Sequence, residues 1–191
     1  MPLHSRYNGG VRFRIRPFKK ADFRTLWRID QACFEPQLAY SQAELDFYMR
    51  RPGSFTLVAQ DGAADDGTES ERDKNKDDSA QGKRGSTDEI ADSGILGFIV
   101  AESRRRTGHI ITIDVVEKAR RSGVGSALMQ AAEEKLLRAG ATSVALETPV
   151  NNAAAIRFYK SEGYFAEKTV AGYYSNQMDA LVMTKALAST S

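Results

Sequence analysis

Apolar residues recur with two different periods near the start of the chain. Val11, Phe13 and Ile15 alternate with arginines, which is typical of a half-buried strand, and Pro17 ends this alternation. From Phe23 to Cys33 the apolar residues follow helical spacing instead. The pattern therefore predicts a strand and then a helix.

A second helix and two strands follow. Ser41 and Glu44 have the spacing of a capping box, so a helix is predicted to begin there and to stop at the Pro-Gly pair 52–53. Short apolar runs at residues 55–60 and 95–102 predict strands.

The second half of the chain alternates strands with helices. The predicted elements are a strand at 110–116, a helix from the glycine-rich turn at 120–126 to Arg138, a strand at 144–146, a helix at 153–161, and strands at 164–170 and 181–184. The order β-α-α-β-β-β-α-β-α-β-β predicts an α/β fold with a mixed central sheet and about four flanking helices.

Residues 61–93 differ in composition from the rest of the chain. They hold eleven acids and five bases, and Ile90 is their one large apolar residue. Such a segment cannot bury enough apolar surface to offset its ordering entropy, so we expect a disordered insertion in a hairpin loop of one domain spanning 1–191. The other residues are then strongly basic, which favours an anionic ligand.

The cysteine and histidine content limits the cellular compartments and the kinds of site that we expect. Cys33 is the one cysteine, so an internal disulfide is excluded and a reducing compartment such as the cytoplasm is expected. The first ten residues lack the apolar core of a signal peptide, and the sequence has no apolar run long enough to span a membrane. The two histidines, His4 and His109, lie far apart in sequence, so no metal is expected.

The glycine-rich turn is a possible phosphate seat. Arg120 and Arg121 precede Gly123 and Gly125, and the helix that starts there leaves its first amides without intrahelical partners. Open amides beside basic side chains suit a pyrophosphate. The alternative is a tight strand-to-helix connection without a ligand.

Two side chains could move protons. Glu147 ends a predicted buried strand, where a carboxylate can accept a proton or can simply pair with an arginine. Tyr159 lies two helical turns after Asn152 and on the same face of the helix. A phenol is still protonated at pH 7 and can protonate a departing thiolate, although a lone tyrosine can equally be a core residue.

Together these motifs resemble the GNAT acetyltransferases. The resemblance rests on Arg-x-x-Gly-x-Gly at 120–125, Leu-Glu at 146–147, Asn-Ala-Ala-Ala-Ile-x-x-Tyr at 152–159, and the glycine at 163. It is strong from residue 110 to 163, and the most similar group is the ribosomal-protein alanine N-acetyltransferases.

The resemblance implies a GNAT fold and an acetyl-CoA-dependent transfer of acetyl to an amine by direct attack. The implied acceptor is a protein N-terminus, with ribosomal proteins among the candidates, and neither nucleic acid nor a membrane is an expected partner. The implied roles are a base at Glu147, an acid at Tyr159, and an acceptor slot walled by Tyr173 and Tyr174. Implied cofactor contacts are Ile113, Asp114, Val115, Arg121, Ser122, Gly123, Val124, Gly125, Ser126 and Asn152.

Two other functions remain open from the sequence. One is an acetyltransferase for a small amine, and the other is a non-catalytic module that binds acyl-CoA. The presence of both Glu147 and Tyr159 favours an enzyme over a binding module.

Overall fold

The protein is built on one twisted sheet, seen here in a computed structural model that describes residues 3–8, 11–62, 90, 93–175 and 177–188. Within these residues the sheet has eight strands in the order β1-β2-β3-β4-β5-β6-β8-β7. The strands are β1 (Leu3–Asn8), β2 (Val11–Pro17), β3 (Ser54–Asp61), β4 (Ile95–Arg104), β5 (Thr107–Val115), β6 (Ser143–Pro149), β7 (Phe165–Val170) and β8 (Ala180–Ala186).

In the part of the chain that the structure describes, four α-helices cover the two faces of the sheet. They are α1 (Phe23–Cys33), α2 (Gln42–Arg50), α3 (Val124–Arg138) and α4 (Ala153–Ser161). The predicted α/β class and element order are confirmed, with one addition at the N-terminus. Strand β1 is absent from the sequence prediction, because its polar residues show no alternation, and it lies at the sheet edge paired with β2 alone.

Two apolar clusters lie on opposite faces of the sheet. Leu57 and Ala59 of β3 belong to the cluster under α3 and α4, whereas Val58 between them packs with Leu26 of α1 and its neighbours. Strands β3 and β4 are buried on both faces. Their sequences are therefore continuous apolar runs and do not alternate between apolar and polar residues.

The first two helices begin and end where their local sequence predicts. The Ser41 hydroxyl accepts from the Glu44 amide at 3.3 Å, and the Glu44 carboxylate accepts from the Ser41 amide at 2.9 Å. This reciprocal pair is the predicted capping box, and it fixes the start of α2.

The predicted insertion joins β3 to β4. The hairpin closes where the Asp61 amide donates to the Gly94 carbonyl at 2.8 Å, and the Gln60 side chain donates to the Ser93 carbonyl at 3.1 Å. Residues 63–89 and 91–92 lie outside the described residues, so the expected disorder stays a prediction. Among the described residues, every helix is too short or too polar to cross a bilayer.

Candidate active site

A cleft opens in the middle of the sheet, between β5 and β6. These two strands form the one parallel pair among the described strands, and their pairing runs only from Thr107 with Ser143 to Ile110 with Leu146. Beyond that point β5 stays paired with β4, and β6 stays paired with β8. Residues 111–115 of β5 and 147–149 of β6 therefore do not pair with each other.

A bulge accounts for the divergence of the two strands. In the β4–β5 ladder Ala101 pairs with Ile110 and Val100 pairs with Thr112, so Ile111 is an extra residue on β5. A bulge bends its strand and increases the local twist. Along residues 111–115 the resulting edge has no neighbouring strand among the described residues, so an extended ligand could pair there as a further strand. Two carbonyls of this edge already accept within the protein, Ile111 from Tyr40 and Val115 from Arg120 and Cys33.

Helix α3 begins at one end of this cleft without a side-chain cap. Gly123 is the N-cap residue with a φ of 86°, and Arg121 just before it has a φ of 61°. Both residues are in the left-handed region, so the chain turns sharply and leaves the first amides of α3 without intrahelical acceptors. Open amides of this kind can hold an anion, and the predicted contact of residues 121–126 with a phosphate stays a prediction.

Side chains around this turn are mostly engaged within the protein. The Ser122 hydroxyl donates to the Ala119 carbonyl at 2.7 Å, and the Ser126 hydroxyl donates to Glu162 at 2.6 Å. The Arg120 Nε donates to the Val115 carbonyl at 3.1 Å. Among the predicted cofactor contacts, the two serines therefore offer mainly their amides to a ligand.

Gly125 has a packing role that the sequence did not reveal. A Cβ at this position would lie 3.2 Å from the Phe158 ring of α4, which is closer than most such contacts. The glycine therefore allows α3 to approach α4 and the end of β5. A side chain at 125 would point toward Phe158 and not away from the protein.

Glu147 pairs with a histidine that the sequence prediction set aside. His109 Nε2 lies 2.6 Å from Glu147 Oε2, and both side chains are partly exposed. His109 lies opposite Ala145 in the parallel ladder, so its side chain shares a face with Glu147 two residues further along β6. No local pattern marks His109, because its partner is distant in sequence; only the strand register brings the two together.

The proton affinity of His109 depends on its neighbours. Burial by itself would lower the pKa of His109, but the hydrogen bond to Glu147 and the charges of Glu147 and Glu102 outweigh burial and raise this pKa. A base with a raised pKa is better matched to an α-ammonium than an isolated carboxylate is.

Tyr159 lies on α4 in the large apolar cluster. It is 9% exposed, and its hydroxyl donates to no acceptor among the described residues. Burial, followed by the nearby charge of Asp114, raises the pKa of Tyr159, so the phenol stays protonated across the physiological range. Tyr159 is therefore a core residue with a protonated hydroxyl, and its role as an acid stays a prediction.

The other predicted contacts take different places around the cleft. Asn152 caps α4, because its Oδ1 accepts from the Ala155 amide at 3.1 Å, and its amide nitrogen has no acceptor among the described residues. Asp114 is buried, with one oxygen accepting from the Thr112 hydroxyl at 2.9 Å. Of the stretch 113–115, we therefore expect the backbone and not the Asp114 carboxyl to face a ligand.

Tyr173 and Tyr174 lie in the loop between β7 and β8, next to Glu147. Their rings contact edge to face with centroids 5.0 Å apart, and Tyr173 is 49% exposed. Burial and then the charge of Glu147 raise the pKa of Tyr173. The Ser175 hydroxyl donates to the Gln37 carbonyl at 3.2 Å, so this loop meets the loop between α1 and α2. The two loops therefore meet near Glu147, and an acceptor slot between them stays a prediction.

Two other kinds of chemistry were considered for the described residues: a cysteine nucleophile and a metal site. The Cys33 thiol donates to the Val115 carbonyl at 3.5 Å, and burial raises its pKa to about 11. Such a thiol is a poor nucleophile at neutral pH. Over the described part of the chain, no group of three histidine, cysteine or acidic side chains is arranged to hold a metal ion.

Comparison with known proteins gives a consistent picture. A family model described as "Acetyltransferase (GNAT) family" matches residues 23–164. An N-alpha-acetyltransferase of Sulfurisphaera tokodaii is 37% identical over 83 residues, which cover 43% of this chain and 50% of that protein. The chain therefore spans half the length of this curated relative.

Solved structures match over nearly the whole chain. Ard1 from Thermoplasma volcanium is 26% identical with a TM-score of 0.69, covering 93% of this chain and 99% of that one. The ribosomal-protein-S18-alanine N-acetyltransferase from Escherichia coli is 17% identical with a TM-score of 0.67, covering 94% and 96%. At that identity the second likeness concerns the fold alone.

Proposed function

Because the chain belongs to the GNAT acetyltransferase family, we propose that it transfers the acetyl group of acetyl-CoA to the α-amine of a protein N-terminus. The observation that carries this proposal is the cleft between β5 and β6, with Glu147 and His109 paired at 2.6 Å on one side and Tyr159 buried nearby on α4. The N-alpha-acetyltransferase relative supports the choice of acceptor.

The described residues suit acetyl-CoA as the co-substrate. The open amides at the start of α3 can receive its pyrophosphate, and the β5 edge at residues 111–115 can pair with the amides of its pantetheine arm. The Asn152 amide nitrogen and the Arg121 side chain are further donors beside this path. The co-substrate supplies an activated acetyl thioester at the cleft.

The reaction needs one proton acceptor and one proton donor. The incoming α-ammonium gives a proton to the Glu147–His109 pair, and the free amine attacks the thioester carbonyl carbon. The adduct then collapses, the carbon–sulfur bond breaks, and Tyr159 protonates the leaving thiolate. The amine nitrogen gives up its second proton as the amide forms, and that proton replaces the one that Tyr159 gave. The products are the N-acetyl peptide and coenzyme A. Cys33 takes no part, because its thiol is protonated and bonded to Val115.

The acceptor slot supports a peptide N-terminus. Tyr173 and Tyr174 form one wall beside Glu147, and Tyr40 and Tyr48 pack with ring centroids 5.2 Å apart in the region of the opposite loop. Tyrosine rings present an apolar face with a polar tip, which suits an extended chain with amide groups.

We place the activity in the cytoplasm, because a single cysteine is typical of a protein in a reducing compartment.

Release of coenzyme A thiol in the presence of different acceptors tests this function. The panel contains peptides with free N-termini, including those of ribosomal proteins, the same peptides with blocked N-termini, and small amines. We expect turnover with free N-terminal peptides and none with blocked ones. Turnover with small amines alone would reassign the acceptor, and binding of acetyl-CoA without turnover of any acceptor would favour a non-catalytic module.

Replacing Glu147 tests the base. Glu147→Gln keeps the shape but removes the acceptor, so we expect kcat/KM at pH 7 to fall and activity to recover only at higher pH, where the amine arrives deprotonated. Glu134→Gln is the matched control, because Glu134 pairs with Arg138 on the exposed side of α3. An unchanged pH profile for Glu147→Gln would place the base elsewhere.

A further inference from the structure

A row of three titratable side chains crosses the sheet at the closed end of the cleft. Glu102 on β4 lies opposite His109 on β5, and Glu147 on β6 shares the same face. His109 Nδ1 is 3.5 Å from Glu102 Oε1, while its Nε2 is 2.6 Å from Glu147 Oε2. The imidazole therefore bridges two carboxylates, one buried and one beside the cleft.

Glu102 is an unusual residue for this position, because it is only 1% exposed. A buried carboxylate is costly unless charged partners surround it. Arg104 Nε lies 2.6 Å from Oε1, and Arg51 Nε lies 3.5 Å from Oε2. Even so, Oε1 accepts no well-aligned hydrogen bond in this arrangement. That oxygen is the one nearest to His109.

We propose that Glu102 is a positioning residue that acts through His109, accepting from its Nδ1–H so that Nε2 faces Glu147 as a proton acceptor. This inference rests on the proposed function, because it gives Glu102 a role in supporting the same Glu147–His109 base. The arrangement has the logic of a buried carboxylate that orients a histidine toward a reacting group. Glu102 touches neither substrate in this scheme.

The proton balance of the step is simple. The 2.6 Å separation of His109 Nε2 and Glu147 Oε2 is that of the pair with a proton between them. Before the reaction that proton is absent, and the one imidazole proton lies on Nδ1, which faces Glu102. The ammonium loses one proton, which is then held between Glu147 Oε2 and His109 Nε2. The imidazolium so formed lies between two carboxylates, and it returns the proton to water through the partly exposed side chains of His109 and Glu147.

Charged and titratable groups from several elements face this row. They are Arg51 after α2, Arg104 on β4, and Tyr173 and Tyr174 of the β7–β8 loop, which lie near Glu147. The negative charge of Glu102 helps to raise the pKa of His109. Removing that charge should therefore lower this pKa, and removing a neighbouring positive charge should raise it.

A titration of His109 by nuclear magnetic resonance tests the inference on the protein without substrates. The sequence has two histidines, so a His4→Gln background leaves one imidazole to follow. In that background Glu102→Gln should lower the pKa of His109. Arg104→Gln should raise it by a smaller amount, because Arg104 is 55% exposed and its charge is screened by solvent.

Kinetics supply the second readout. For Glu102→Gln we expect the acid limb of kcat/KM to move to lower pH, because the pair must be unprotonated to act, and kcat to fall about 10- to 100-fold, as for other outer partners of a reacting group. The acceptor KM should change little. Arg104→Gln should move the acid limb the opposite way, and Glu134→Gln should leave it in place.

The outcomes separate this inference from the proposed function. An unchanged His109 titration in Glu102→Gln overturns the role of Glu102 whatever the acceptor is. A shift of the same sign in both the Glu102 and Arg104 variants also overturns it, because general loosening of the site and not charge would then be the cause. Failure of every acceptor to release coenzyme A would reject the function, while the titration would still report on the row.

Discussion

At the scale of single residues, burial decides which groups keep a proton and which exchange one. Tyr159 and Tyr164 are both buried, and burial raises the pKa of each, so both phenols stay protonated at neutral pH. Glu147 and His109 are partly exposed and can exchange protons with water. The proposed donor is thus inside the core and the proposed acceptor at its border.

Tyr159→Phe tests the donor, because it keeps the ring and removes only the hydroxyl. We expect kcat to fall by about 10²–10⁴ while acetyl-CoA affinity and the free energy of unfolding change little, since that hydroxyl has no acceptor among the described residues. Steady-state kinetics and calorimetry measure both. Normal turnover would leave Tyr159 as a core residue only.

Tyr164→Phe is the matched control for that variant. Tyr164 lies in the same cluster, with its ring centroid 6.1 Å from that of Tyr159, but its hydroxyl donates to Glu133 at 3.0 Å. Here the free energy of unfolding should fall by about 1.5–3 kcal/mol, as for a hydrogen bond to a charged group, with kcat unchanged.

At the scale of elements, helix α3 has a left-handed glycine at each end. Gly123, with a φ of 86°, opens the helix beside the proposed phosphate seat, and Gly140, with a φ of 90°, follows its C-terminus. Both positions need a left-handed backbone, but only Gly123 lies beside the proposed phosphate seat. A comparison of the two therefore separates the effect of backbone strain from an effect on ligand binding.

Replacing each glycine by alanine makes that separation. Both Gly123→Ala and Gly140→Ala should lower the free energy of unfolding by about 1–2 kcal/mol, the cost of a left-handed non-glycine residue. A Cβ at Gly140 would meet nothing within 4 Å, so strain is the whole effect there. Calorimetry should show weaker acetyl-CoA binding for Gly123→Ala alone. Equal affinity in the two variants would contradict the assignment of the seat.

At the scale of the whole molecule, the split sheet ties the site to the fold. Strands β1 to β5 stay together on one side of the cleft, and β6, β8 and β7 stay together on the other. The acidic segment joins β3 to β4, and strand β5 separates this hairpin from the cleft. Its removal should therefore leave the cleft intact.

Replacing residues 63–89 with a short Gly-Asn linker tests this independence. The free energy of unfolding should stay the same or rise by about 1 kcal/mol, because a shorter loop costs less to close, and acetyl-CoA affinity should not change. Ile90 and Ser93 are kept. Ile90 packs against the apolar cluster that contains Val58 and Leu26, and the Ser93 hydroxyl accepts from the Ile95 amide at 3.1 Å.

A longer deletion that also removes residues 90–93 is the comparison for this variant. It should lose stability in denaturant unfolding, because those two contacts disappear. If the shorter replacement already abolished cofactor binding, the acidic segment would belong to the working fold.

The sequence by itself determined the elements whose signals are local. Helix α4 spans residues 153–161 as predicted, and Ser41 and Glu44 cap α2, because periodicity and capping depend on residues within a few positions of each other. The motifs around Gly123, Glu147 and Tyr159 identified the family for the same reason, since each is a short pattern with a fixed spacing.

Only the tertiary structure decided what depends on register and burial. The bulge at Ile111 opens the cleft, the β4–β5–β6 register places His109 between Glu102 and Glu147, and the approach of α4 gives Gly125 a packing role. The partners in each case are tens of residues apart, and a one-residue change of register would turn these side chains to the other face. No local pattern carries that information, because it arises only when the strands pair and the two cores close around them.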